Sequence, residues 1–191
     1  MRKLPSSLDN PIDNYLISLC ENLAPIYKYY SITPNILTTF SLLFGIISVL
    51  LFINDYYIIA AIVFILSYFF DCCDGHYARK YGLVTTFGCY YDHVSDTLKY
   101  VMLACAMYYK SPKRFYTLVP IFSVLLFLSL VHTGCGELYT DENVQSGSLS
   151  YFKPLCPNQT SPEQSLTWTK YFGFGTLNLA VAIMIISYKF Q

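Results

Sequence analysis

Residues 71–96 read DCCDGHYARKYGLVTTFGCYYDHVSD and contain four aspartates, Asp71, Asp74, Asp92 and Asp96. The chain of 191 residues is 54% hydrophobic and 18% aromatic, and only 13% of it is charged. This charged fraction is about half that of a typical soluble protein, which predicts an integral membrane protein. A carboxylate at membrane depth is costly unless it is paired, hydrated or bound to a cation. Four aspartates in one short stretch therefore need a common explanation.

The spacing of the aspartates supplies that explanation. Asp71 and Asp74 are three residues apart, and Asp92 and Asp96 are four apart, so each pair lies on one face of a helix. Two such faces brought together form an all-oxygen site, which suits Mg²⁺ or Mn²⁺ better than Zn²⁺. The sequence therefore predicts a site for a hard divalent cation.

The residues between the two pairs suit phosphate. Gly75 gives a flexible backbone, and Arg79 and Lys80 are cations of the kind that hold phosphate groups. The chain resembles the CDP-alcohol phosphotransferase family in its complete pattern, Asp71-x-x-Asp74-Gly75-x-x-Ala78-Arg79, followed after eight residues by Gly88-x-x-x-Asp92-x-x-x-Asp96. Eight fixed residues at fixed spacing make a specific motif.

The resemblance implies a reaction in which an alcohol hydroxyl attacks the β-phosphorus of a CDP-alcohol, forms a phosphodiester and releases CMP. It implies that Asp71, Asp74 and Asp92 bind two Mg²⁺ or Mn²⁺ ions. Asp96 would complete the metal site and act as the general base on the acceptor hydroxyl, which requires it to lie within about 3 Å of that proton.

The resemblance also implies positions that bind the nucleotide, namely Gly75, Ala78, Arg79 and Thr85. Gly88, one turn before Asp92, is expected to let the second predicted span, residues 56–70, approach closely. Asn35 and His132 are candidates for the lining of the pocket. Turn and capping chemistry is the alternative for Asn35, and helix-end chemistry is the alternative for His132.

The pattern of apolar residues predicts an all-α, polytopic membrane helix bundle. An amphipathic helix over residues 11–30 is expected to lie in the membrane interface, the alternative being a surface helix that packs on protein. Five segments are expected to cross a bilayer, the third of them with a polar first half that must face protein or a water-filled cavity: 36–53, 56–70, 85–109, 115–131 and 171–188. The family usually has six, and residues 138–168 form a polar loop, so we expect five to six transmembrane helices in a single domain over residues 1–191.

The loops give weaker indications of topology. Asn54, Asp55 and Gly82 are expected to turn the chain. Residues 1–31 are polar and mixed, so we expect no cleaved signal peptide and a first span that acts as the insertion signal. A small excess of Lys and Arg favours a cytosolic N-terminus and a cytosolic active site, at the endoplasmic reticulum in a eukaryote or the inner membrane in a bacterium.

Other polar and sulfur-containing residues receive local interpretations. The seven cysteines are expected to be structural thiols in apolar surroundings. His76 and His93 are expected to make local hydrogen bonds. Lys80 and Lys99 are expected to snorkel or to contact lipid headgroups.

Several functions remain open. The favoured one is transfer of a phosphatidyl group from CDP-diacylglycerol to a small alcohol in phospholipid synthesis, by a chain that is dimeric as the family resemblance implies. The alternative within the family transfers the headgroup of CDP-choline or CDP-ethanolamine to diacylglycerol. Outside the family, intramembrane carboxylates also occur in ion or proton transporters, and a catalytically idle membrane protein is a further alternative. A net charge of zero gives no basic surface for nucleic acid.

Overall fold

The computed structural model describes residues 3–141 and 149–190, and within these residues every regular element is a helix. The α-helices are α1 (Pro11–Tyr29), α2 (Pro34–Ile53), α3 (Tyr57–Tyr81), α4 (Thr86–Lys110), α5 (Pro112–Asp141), α6 (Pro162–Thr169) and α7 (Phe174–Ser187). Short 3₁₀ helices cover Ser150–Leu155, Lys170–Phe172 and Tyr188–Phe190. The predicted all-α class is confirmed.

Four helical segments of the described chain are long and apolar enough to cross a membrane: Pro34–Ile53, Tyr57–Tyr81, Pro112–Thr140 and Pro162–Phe190. The last segment joins α6, a 3₁₀ turn and α7. Helix α4 has the same length as α3, 25 residues, but its first half carries the polar residues of the aspartate motif. This result agrees with the predicted membrane helix bundle.

The chain turns at the residues that the sequence indicated. Thr33 is extended before Pro34, which opens α2 at a position where its missing N–H costs nothing. Asp55 and Gly82 have φ angles of 68° and 65° after α2 and α3; glycine adopts this conformation readily. Thr85 caps α4, and its side-chain oxygen accepts the Gly88 N–H at 3.0 Å.

Hydroxyl groups and small residues join α2 to α3. The Ser48 hydroxyl donates to the Ala60 carbonyl at 2.8 Å, and the Ser67 hydroxyl donates to the Ser41 carbonyl at 2.7 Å. Both serines are buried. These bonds let the two backbones approach closely, as small polar residues commonly do between membrane helices.

The buried face of α1 packs on protein. Cys20, Ala24 and Tyr27 lie in one apolar cluster with Cys73 and Tyr77 of α3. The opposite side leaves large apolar side chains exposed, among them Leu19 and Ile26. One face of α1 therefore packs on protein, as the alternative interpretation expected. The position of α1 in the membrane interface stays a prediction.

Two disulfides correct the prediction that the cysteines are structural thiols. Cys20 of α1 is bonded to Cys73 of α3, and Cys135 is bonded to Cys156. Cys72, Cys89 and Cys105 form no disulfide within the described residues. The partners are 53 and 21 residues apart, so no local sequence pattern indicates them.

The chain divides into two compact units, each built from separate segments. One unit contains Leu16–Pro120 and Asn178–Gln191, and the other contains Met1–Tyr15 and Ile121–Leu177. All four aspartates belong to the first unit. In the second unit, Leu4, Leu8 and Leu166 pack around the Cys135–Cys156 disulfide. The single-domain assignment stays a prediction.

The second unit contains the whole segment predicted as a polar loop, residues 138–168. Helix α5 continues through Asp141, and residues 142–148 lie outside the described residues. The remainder contains the 3₁₀ helix Ser150–Leu155 and α6.

Candidate active site

Helices α3 and α4 bring three of the four aspartates together. Asp71 and Asp74 lie in the last three turns of α3, and Asp92 lies in the second turn of α4. Each offers one carboxylate oxygen, and these three oxygens lie within 4.8 Å of one another. Such a group of oxygens has the donor chemistry that Mg²⁺ and Mn²⁺ prefer.

Asp74 is the most buried member of this trio, with 4% of its surface exposed. Its Oδ2 accepts a hydrogen bond from the Thr38 hydroxyl of α2 at 2.5 Å. Thr38 is also buried. Because the hydroxyl satisfies only one carboxylate oxygen, Asp74 retains acceptor capacity for a cation.

Asp92 contributes a buried oxygen that lacks a partner. Its Oδ2 lies 3.6 Å from His93 Nδ1, while its Oδ1 is buried without a hydrogen-bond partner among the described residues. A buried polar atom without a partner is uncommon and calls for an explanation. A cation shared with Asp71 and Asp74 explains it, so the residues present fit the predicted metal.

Asp96 is not part of the trio of oxygens, but it contacts Lys99 and also interacts directly with the Asp71 side chain. Lys99 Nζ lies 2.7 Å from Asp96 Oδ1 and 3.2 Å from Asp71 Oδ1. It also donates to Ser41 Oγ of α2 at 2.6 Å. Asp96 is thus connected to the trio through Lys99 and Asp71, and its predicted role as ligand and base stays a prediction.

The snorkelling predicted for Lys99 is wrong, because the side chain is only 6% exposed and lies inside the carboxylate cluster. Its position three residues after Asp96 was the available signal, since residues three apart share a helix face. Lys80 pairs with Glu21 of α1. His76 also bonds to Glu21 of α1, 55 residues away along the chain, so its hydrogen bond is made within the protein but is not the local one expected.

Glu21 is the acidic centre of this second cluster. The hydrogen bond from Lys80 is the main cause that lowers the pKa of Glu21, and the hydrogen bond with His76 acts in the same direction against partial burial. The cluster joins α1 to the end of α3, one turn beyond the aspartates.

The predicted nucleotide residues lie at the end of α3 and the start of α4. A Cβ atom at Gly75 would lie 3.1 Å from Arg79 Nη1, so the guanidinium lies over the glycine. Ala78 is half-buried and Arg79 is exposed. A Cβ at Gly88 would lie 3.0 Å from Asn35 Oδ1, which places this part of α4 against the start of α2 and not against the span over residues 56–70 that was expected there.

A cavity of about 510 Å³ lies beside these residues. It includes Asn35 and Thr85, two of the predicted site residues, together with the aromatic rings of Tyr77 and Tyr81. The remaining lining residues come from the end of α1, the turn that follows it and the α3–α4 loop: Lys28, Ser31, Ile32, Thr33, Pro34 and Leu83.

His132 belongs to the other unit of the chain. It is buried, and its Nδ1 lies 3.1 Å from Thr169 Oγ1. Glu137, about one and a half turns further along α5, is buried and pairs with Lys3. The role of His132 in an acceptor pocket stays a prediction.

Comparison with known proteins identifies the segment that contains the site. The model of the CDP-alcohol phosphatidyltransferase family matches residues 31–155, which include α2, α3, α4 and all four aspartates. An uncharacterized protein of Aquifex aeolicus (strain VF5) is 33% identical over 92 residues, which are 48% of this chain and 46% of that protein. The chain thus spans about half the length of this relative.

Proposed function

This chain belongs to the CDP-alcohol phosphatidyltransferase family, and on that premise we propose that it transfers a phosphatidyl group from CDP-diacylglycerol to a small alcohol and releases CMP. Membership makes it a membrane transferase of substituted phosphate groups, with a CDP-alcohol as donor and an alcohol as acceptor. The observation that supports the proposal best is the group of three carboxylate oxygens within 4.8 Å, contributed by Asp71, Asp74 and Asp92.

We assign Asp71, Asp74 and Asp92 as the residues that hold Mg²⁺ or Mn²⁺, with Asp96 completing a site for two ions. The unpartnered Oδ1 of Asp92 supports this assignment. When bound, such ions offset the negative charge of a pyrophosphate and lower the pKa of a hydroxyl beside them.

The chain's own residues would bind the donor and move one proton. Arg79 would hold a phosphate, and Gly75 and Ala78 would let the nucleotide approach the backbone. The acceptor oxygen forms a bond to the β-phosphorus, the bond from that phosphorus to CMP breaks, and Asp96 takes the hydroxyl proton. Positioning and charge stabilisation supply most of the acceleration in phosphoryl transfer of this kind.

The cavity that includes Asn35 and Thr85 is our candidate for the nucleotide base. It adjoins Gly88 and carries two tyrosine rings, Tyr77 and Tyr81. Aromatic rings of this kind can stack on a base. We further propose one family domain over residues 1–191, a homodimer, and a site that faces the cytosol.

The test is CMP release by the purified chain in detergent with CDP-diacylglycerol, Mn²⁺, and inositol, serine or glycerol phosphate in parallel. Asp96→Asn is the site variant, and Asp55→Asn, on the exposed turn after α2, is the matched control. We expect metal-dependent CMP with one alcohol, lost in Asp96→Asn and kept in Asp55→Asn.

Two other outcomes would change the assignment. Product only from CDP-choline or CDP-ethanolamine plus diacylglycerol would assign the chain to the alternative subclass. No product from either donor class would overturn the proposed transfer and would favour the transporter or idle alternative.

A further inference from the structure

The side chain of Lys99 packs against α2 at Gly45. A Cβ atom at Gly45 would lie 2.6 Å from Lys99 Cγ and 2.8 Å from Lys99 Cδ. A real Cβ atom does not lie this close to other carbon atoms, so the lysine stem occupies the space that a side chain at residue 45 would need. Because Gly45 has no side chain, Lys99 of α4 can extend between α2 and α3.

The ammonium group at the end of that stem has three polar partners. It contacts Asp71 Oδ1 at 3.2 Å, Asp96 Oδ1 at 2.7 Å and Ser41 Oγ at 2.6 Å. These three partners come from α3, α4 and α2. A buried ammonium is tolerated when it is paired and hydrogen-bonded in this way, so Lys99 is a component of the carboxylate cluster.

We propose that Lys99 is a positioning residue that acts as an internal cation: it holds Asp71 and Asp96 together and competes with a second divalent ion for that pair. The inference rests on the metal site proposed above. Asp71 belongs both to the trio of oxygens and to the lysine contact, so Lys99 stands where an ion bridging Asp71 and Asp96 would have to bind.

The charge of the cluster supports this competition. With the four carboxylates of Asp71, Asp74, Asp92 and Asp96 ionised and His93, which lies 3.6 Å from Asp92, neutral, the ammonium of Lys99 offsets one of their four negative charges. One divalent ion then leaves a single negative charge, whereas two ions would make the cluster positive. The first ion is therefore favoured by the cluster, and the second has to displace Lys99 or bind against its charge.

The test counts bound Mn²⁺ by electron paramagnetic resonance of the free ion during titration of the purified full chain in detergent. We expect the unmodified chain to bind one Mn²⁺ tightly and a second at least about tenfold more weakly. Lys99→Met keeps the stem and removes the charge, so it should raise the affinity for the second ion about tenfold or more. Lys110→Met, on the same helix and also paired with an aspartate, should leave both affinities unchanged.

Ser41→Ala is the second variant, and it decides the question if Lys99→Met does not fold. It removes the hydroxyl that accepts from Lys99 and leaves all four carboxylates, so the second affinity should rise about threefold. The inference is overturned if the unmodified chain binds two ions with equal affinity or none, or if neither variant strengthens the second ion.

CMP release measured on the same samples separates this inference from the proposed function. If the chain releases CMP but Lys99→Met and Ser41→Ala bind Mn²⁺ as the unmodified chain does, the role of Lys99 is overturned and the proposed function is supported. Strengthened Mn²⁺ binding without CMP from any donor would support Lys99 and overturn the function.

Discussion

Helix α4 carries two lysines that pair with aspartates, Lys99 inside the helix and Lys110 at its last residue. Lys99 is 6% exposed and contacts Asp71 and Asp96. Lys110 lies 2.6 Å from Asp55, whose side chain is 65% exposed. Water can replace either partner at the exposed pair, whereas the Lys99 ammonium is largely shielded from water although Asp96 and Asp71 keep 34% and 18% of their side-chain surface exposed.

The difference shows that burial, and not the distance between charges, decides what an ion pair does in this molecule. Removing one partner of an exposed pair changes stability by about 1 kcal/mol at most. Removing one partner of a buried pair leaves a charge without compensation, which costs about 3–5 kcal/mol. Single substitutions around Lys99 should therefore have larger effects than single substitutions around Lys110.

The largest effect is expected when an aspartate is replaced by asparagine in the carboxylate trio, at Asp92, and the result is compared with the same replacement at the exposed Asp55. Asp92→Asn replaces a buried oxygen of the trio by an amide, and we expect CMP release to fall about a thousandfold or more because a metal ligand is lost. Asp55→Asn should change it by no more than about twofold. The measurement is kcat at saturating Mn²⁺, and Asp92→Asn with a tenth of the normal rate would show that Asp92 is not a ligand.

The hydroxyl beside Asp74 provides a finer contrast on α2. Thr38→Val removes the buried donor at 2.5 Å from Asp74 and should lower kcat about tenfold to a hundredfold by loosening a ligand. Thr39→Val removes an exposed hydroxyl that bonds to Tyr91 and should have little effect. The Mn²⁺ concentration that gives half of the maximal rate should rise only in Thr38→Val; equal curves for the two variants would contradict this role.

The disulfide that ties α1 to the site end of α3 can be compared with a free thiol on α4. Cys20→Ser opens the link to Cys73 and should lower the free energy of unfolding by about 2–4 kcal/mol, or the thermal midpoint by roughly 5–15 °C. Cys105→Ser alters an exposed, unbonded cysteine and should have an effect below about 0.5 kcal/mol. Alkylation of the unreduced, denatured chain should label only the three cysteines that are outside the two disulfides, Cys72, Cys89 and Cys105, and labelling of all seven would contradict the disulfides.

The smallest effect is expected at Glu21, whose side chain is about half exposed although its partner His76 is buried. Its pairing with Lys80 lowers the pKa of Glu21, so the stability it contributes is present above the unfolded pKa and is lost as the pH falls through the folded one. Glu21→Gln should lower the thermal midpoint at pH 7 by about 1–4 °C. That difference should vanish in acid; a difference that persists there would show that the ion pair is not its source.

Much of the site was predictable because its residues are close in sequence. The spacing within 71–96 places Asp71 with Asp74 and Asp92 with Asp96, and helical geometry alone decides which faces they share. The turns at Asp55 and Gly82 were predictable for the same reason, since turn residues act locally. The disulfide partner of Cys20 lies 53 residues away, and nothing local records it.

The amino-acid sequence by itself determined the all-α class, the family and the stretch that carries the aspartates, because periodicity and motif spacing are properties of neighbouring residues. Only the tertiary structure decided that Gly45 and Ser41 of α2 receive Lys99, and that Asp96 meets this lysine while the other three carboxylates converge. Those contacts depend on how α2, α3 and α4 are aligned against one another. Alignment between helices is set by the fit of side chains along their whole length, which no short stretch of sequence contains.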